Sequence, residues 1–143
     1  MTDAAAPTTP LIRKLGIKAN HVVALLGAPD GFDETLGPLP RGVTVHRAAD
    51  GRPPADAEPF DVVVFFTSTR AGLTGLLGEV RPLMDPACGL WIAWPKKSSG
   101  RPSELTDDVV REIALPTGLV DNKVCAVDAT WSGLRLVIRR ELR

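Results

Sequence analysis

Lys96, Lys97 and Arg101 flank Ser98, Ser99 and Gly100 in the run W-P-K-K-S-S-G-R, which lies between an apolar segment and a helix start. Cations, hydroxyls and a glycine in one short loop are the groups that hold a phosphate or carboxylate, because the glycine lets backbone donors converge on an anion. The order differs from a P-loop, G-x-x-x-x-G-K-[ST]: here the lysines come first and no earlier glycine precedes them. Asp107 and Asp108 place negative charge at the helix start, where its amides would meet an anion. The plain alternative is a solvated strand-to-helix connection with exposed lysines. Trp94 and Trp131 add a second feature, since an aromatic pair at a rim stacks on a planar ligand, although tryptophans also cap small sheets. His21 and His46 belong to no nucleophile elbow and no H-E-x-x-H pattern, which argues against hydrolases of those types.

Composition narrows the classes further. The 17 basic and 17 acidic side chains cancel, so no global field draws the chain to nucleic acid or to an anionic membrane. Any anion site must be local. The longest apolar runs, Val62 to Phe66 and Leu90 to Ala93, are far shorter than the roughly 20 residues that span a bilayer. The start, M-T-D-A-A-A-P-T-T-P, has neither the basic nor the apolar region of a signal peptide, so a cytoplasmic location is expected. Cys88 and Cys125 lack C-x-x-C spacing and a partnering histidine motif, which argues against zinc and predicts reduced, packed thiols.

These groups must be positioned by regular elements. Residues 1–10, rich in Ala, Thr and Pro, read as a flexible tail, and residues 11–143 as one domain. L-I-R-K-L predicts a helical turn stopped by Gly16, and H-V-V-A-L-L-G, His21 to Gly27, a strand buried on both faces. A brief helix from Asp33 to Leu36 and a second strand from Val43 to Arg47 follow. Ala48 to Pro59 is a loop long enough to suggest a lid or a lost element. Asp61 to Phe66 is the clearest strand. Leu73, Leu76, Leu77 and Val80 recur at helical spacing, and Asp85-Pro86 is expected to end that helix. A strand from Cys88 to Trp94 precedes the basic loop. Thr106 is suited to cap a helix closed by Pro116 and Gly118, and Lys123 to Asp128 with Leu134 to Arg140 predicts a terminal hairpin.

Strands separated by helices pair in parallel through right-handed crossovers, giving an α/β fold with one open, mostly parallel sheet, flanking helices and a C-terminal antiparallel hairpin. Ligands of such sheets bind beyond the carboxyl ends of the strands. Gly27 to Gly31, Thr67 to Arg70, Trp94 to Arg101 and Asp128 to Gly133, with Ser132 among them, then belong to one edge and predict one site. Asp128 and Arg135 are expected to pair across the hairpin.

The element order, with a hairpin after G-L-W-I-A-W-P-K, resembles a reduced class I methyltransferase fold, which implies a Rossmann-like sheet. The motifs W-P-K-K-S-S-G, V-R-E-I-A-L-P-T-G-L-V-D-N-K-V-C-A-V-D and T-W-S-G-L-R together resemble a small bacterial family described as a domain of unknown function, which implies no reaction. The methyltransferase resemblance implies a G-x-G pattern leaving the first strand and an acid after the second for ribose hydroxyls. Here Gly27 and Gly31 are present, but Leu26 precedes Gly27, Pro29 interrupts the loop, and His46-Arg47 ends the second strand, with Asp50 the nearest acid. These departures disfavour S-adenosylmethionine as the cofactor, and leave the cofactor unassigned. The expected function is a non-catalytic binding or interaction module; the alternative is a methyltransferase-related enzyme or sensor for an anionic or nucleotide-like small molecule. The residues accommodate a small anionic ligand and a protein partner alike.

Overall fold

The computed structural model describes residues 10–53 and 59–143. Apart from Pro10, the expected tail lies outside the described residues, as does part of the long loop, at 54–58. The first helix, α1 (Leu11–Leu15), stops at Gly16, whose φ of +80° is left-handed and free of strain only without a Cβ. Strand β1 (Val22–Leu26), helix α2 (Phe32–Leu36), β2 (Thr44–Ala48) and β3 (Phe60–Phe66) follow. Helix α3 (Arg70–Val80), β4 (Met84–Pro95), α4 (Asp107–Ala114), β5 (Leu119–Ala126) and β6 (Trp131–Ile138) complete the order.

All six strands form one sheet in the order β2-β1-β3-β4-β6-β5. β2, β1, β3 and β4 are parallel, and β6 runs antiparallel between β4 and β5. The order reverses between β1 and β3, which is the switch point of a doubly wound sheet. Side chains alternate across the sheet and make two cores. Leu73, Leu77, Leu90, Ile92, Trp94 and Val110 lie in the core beneath α3 and α4. Leu15, Phe32, Val64, Phe66 and Trp91 lie in the core beneath α1 and α2. β1 is apolar throughout, and β3 nearly so, because both faces are covered.

The largest boundary differences from the sequence expectation lie at α3, β4 and the hairpin. Asp85-Pro86 does not end α3; the helix stops at Val80 and tightens into a 3₁₀ turn at Arg81–Leu83, where Pro82 has no N–H to continue it. β4 begins at Met84, opposite Phe60, because an irregularity between Phe60 and Val62 accommodates the extra residues around Pro86. The hairpin strands begin earlier than expected. Gly118, at φ +87°, turns the chain straight from the helix end into β5. The Asp128 carboxylate accepts the N–H groups of Thr130 and Trp131, both at 2.8 Å, and so closes the turn before Trp131. Trp131, Ser132 and Gly133 are therefore strand residues, and Asp128 does not pair with Arg135, whose guanidinium donates to Asn122 at 3.3 Å.

Candidate functional site

Topology brings the four expected segments to one edge. The carboxyl ends of β1, β3 and β4 point the same way, and the antiparallel β6 starts there, with Trp131 opposite Pro95. Two of the clefts at that edge take in residues of these segments.

The first cleft, about 250 Å³, lies between the β1–α2 turn and the end of β2, lined by Leu25, Pro29, Gly31, Arg47 and their neighbours. Gly27 and Gly31 are both left-handed, at φ +67° and +85°. Gly27 donates its N–H to Ala48 O at 2.7 Å, and a Cβ there would lie 3.0 Å from Phe66 O. Its glycine is required by the meeting of three strand ends. Gly31 leads into α2, and a Cβ at that position would approach only Glu34 Oε2, at 3.7 Å. Arg47 borders the cleft and is paired with Asp33 at 2.9 Å. The Asp50 carboxylate accepts Arg52 N–H at 3.1 Å and so serves its own turn. Around this cleft Gly27 is engaged in backbone packing, Arg47 in an ion pair and Asp50 in its own turn.

The second cleft, about 410 Å³, lies beyond β4, between the basic loop and the start of α4. Lys96, Lys97 and Arg101 line it, with Trp94 and Leu105 as buried apolar floor and Ser132 from β6. Lys96, Lys97 and Arg101 have no carboxylate within ion-pair distance among the described residues. Asp107, the acid on this cleft, is held by Arg111 at 3.4 Å and accepts Asp108 N–H at 3.0 Å. Arg111 also binds Asp121 at 2.9 Å, which draws the acidic side of α4 toward β5.

Within the expected nest, Ser99 and Gly100 direct their backbone donors into the loop itself. Lys97–Ser99 is a 3₁₀ turn. The N–H groups of Ser99 and Gly100 donate to Lys96 O and Lys97 O at 3.0 and 3.2 Å, and Arg101 N–H donates to Ser99 Oγ at 3.2 Å. These donors shape the loop. Trp94 and Trp131 are no aromatic pair either. Trp94 is opposite Ser132 and faces α4, whereas Trp131 is on the other face, edge-on to Phe66 at 5.1 Å.

Several residues in or beside this cleft escaped sequence reasoning. Glu104 is one that supports its wall. Its backbone N–H donates to Ser68 O at 2.8 Å, and its carboxylate accepts Arg70 N–H at 2.9 Å, at the start of α3. An acid there satisfies an orphan donor and complements the helix dipole. Glu104→Ala is expected to lower stability by about 1 kcal/mol. Glu104→Gln, which keeps the acceptor, is expected to recover most of that loss; thermal unfolding of the two variants checks it. Leu105, Thr106 and Val124 border the cleft itself. Thr106 was legible as the cap of α4, and it does accept Val109 N–H at 3.2 Å. Val124 carried no signal apart from strand propensity.

The architecture defines a doubly wound α/β protein with both of these clefts at the carboxyl edge of the sheet. Among solved structures, a S-adenosylmethionine-dependent methyltransferase from Aquifex aeolicus matches with a TM-score of 0.62 and 16% identity, over 90% of this chain and 88% of that one. The precorrin-6y C5,15-methyltransferase of Geobacter metallireducens matches with a TM-score of 0.60 and 13% identity, over 90% and 84%. Aeropyrum pernix fibrillarin, in complex with natively bound S-adenosyl-L-methionine, matches with a TM-score of 0.58 and 14% identity, over 92% and 70%. At these identities the likeness establishes a methyltransferase-like, Rossmann-like fold and no activity. No protein-family model and no curated protein sequence matches the chain. Among the described residues there is no helix long and apolar enough to cross a membrane, and no cluster of metal-ligating side chains.

Proposed function

We propose that this protein is a binding module on a methyltransferase-like sheet, which takes a small anion in the cleft beyond β4 and does not use S-adenosylmethionine. The observation that carries this reading is the convergence of Lys96, Lys97 and Arg101 on one cleft, with its nearest acid, Asp107, already held by Arg111. Cations held near an apolar floor attract an anion more strongly than the same cations in open water.

Thermal unfolding in the presence of inorganic phosphate, nucleotides, S-adenosylmethionine and S-adenosylhomocysteine tests the reading. A ligand at about 100 times its Kd adds about 2.7 kcal/mol, which raises Tm by several degrees in a domain of this size. The expected result is a rise with an anion that a Lys96→Ala, Lys97→Ala variant loses, because two of the cleft's cations are gone. A rise with S-adenosylmethionine that survives in that variant would place function at β1 and β2 and reject the proposal. No rise with any compound would direct the search to a protein partner.

A further inference from the structure

Val124 is 58% exposed, the most exposed large apolar side chain among the described residues. Its direction depends on an irregularity in β5. On the α4 face of that strand, Leu119 is opposite Ile138 and Asp121 is opposite Leu136. Strict alternation would bring Lys123 to this face next. The register shift between Asp121 and Lys123 instead puts Val124 opposite Leu134, whose side chain belongs to the core beneath α4. A bulge of this kind re-aims a side chain, and bulges recur beside binding sites. Here it presents an apolar group, in place of an ammonium, to the open end of the cleft.

The rest of the cleft has the same division. Lys96, Lys97 and Arg101 stand at one side, while Trp94 and Leu105, 7% and 3% exposed, form the floor. About 410 Å³ falls within the range that encloses an organic ligand. An inorganic oxyanion would meet the cations and leave the Val124 side to water. Resting on the proposed anion site, we infer that its ligand is an amphipathic anion: a phosphate monoester or carboxylate whose charged end meets the basic loop and whose apolar body lies against Val124.

Calorimetric titration with inorganic phosphate and with phenyl phosphate separates the two ideas. The wild-type chain is expected to bind phenyl phosphate at least about tenfold more tightly than phosphate, the scale expected for burying apolar surface. Val124→Thr keeps the β-branched shape on an exposed strand position, so folding is preserved. It is expected to remove most of that preference and to leave phosphate affinity within about twofold, since the charged contacts are untouched. The Lys96→Ala, Lys97→Ala variant is expected to weaken both. Equal affinities in the wild type, or a preference that persists in Val124→Thr, would overturn the inference while the anion site stands. Failure of both compounds to bind the wild type would overturn the inference and the anion site together.

Discussion

Trp91→Ala is expected to cost about 4 kcal/mol of folding stability and to lower Tm by about 15 °C. The side chain is fully buried in the core beneath α1 and α2. Its Nε1–H donates to Leu15 O at 3.0 Å, bridging β4 to the last residue of α1. Alanine removes the ring, opens a cavity and leaves the Leu15 carbonyl without that donor. Gly133 belongs to the same arrangement: a Cβ on it would lie 3.2 Å from Trp91 Cε3, so the hairpin passes close because a glycine faces the indole. Native stabilities are about 5–15 kcal/mol, so this single change consumes a large share. Urea unfolding of Trp91→Ala and Trp91→Phe distinguishes the contributions, with phenylalanine retaining most of the packing but no N–H. A loss below about 1 kcal/mol for Trp91→Ala would contradict the burial and the hydrogen bond alike.

The second large effect is an alkaline loss of stability that requires Cys88. Burial, reinforced by the Asp61 carboxylate and opposed by Arg135, pushes this thiol up to about 12. In the unfolded chain it ionises at about 8.5. As pH rises past that value the unfolded state loses its proton while the folded state keeps it, so stability falls between about 8.5 and about 12. Below that window this thiol contributes no pH dependence. The loss attributable to Cys88 is expected to be about 2 kcal/mol at about pH 10 and about 4 kcal/mol at the upper end. Half-buried Cys125 moves in the same direction, again chiefly through burial. The measurement is therefore the difference between wild type and Cys88→Ala in urea unfolding at pH 7, 9 and 10. Cys88→Ala should be the less stable protein at pH 7, and its deficit should shrink as pH rises. A constant deficit would mean that the thiol titrates alike in both states.

The placement of chemical groups shows where sequence reasoning reaches its limit. The basic loop is legible beyond a strand end, and its cations do line a cleft. Ser99 and Gly100 carry the same one-letter signature whether their donors face a ligand or their own turn, and hydrogen bonds to Lys96 and Lys97 decide for the turn. Trp94 and Trp131 both read as rim residues, yet which face each ring occupies depends on pairing between β4 and β6. Glu104 looks like an ordinary loop acid because its partners, Ser68 and Arg70, are more than thirty residues away in sequence.

The sequence by itself determined the alternation of strands and helices, the apolar β1 and β3, the Thr106 cap and the antiparallel end of the sheet. Those follow from residue type and from spacing within a turn or two, where local sterics and capping act. Only the tertiary structure decided the separation of the β1 cleft from the β4 cleft, the closing of the β1 turn around Gly27, the seat of Trp91 on α1 and the exposure of Val124. Each depends on register, and register is set by a partner strand distant in sequence. One extra residue at Asp121–Lys123 changes which side chain meets α4, a difference that no local pattern contains.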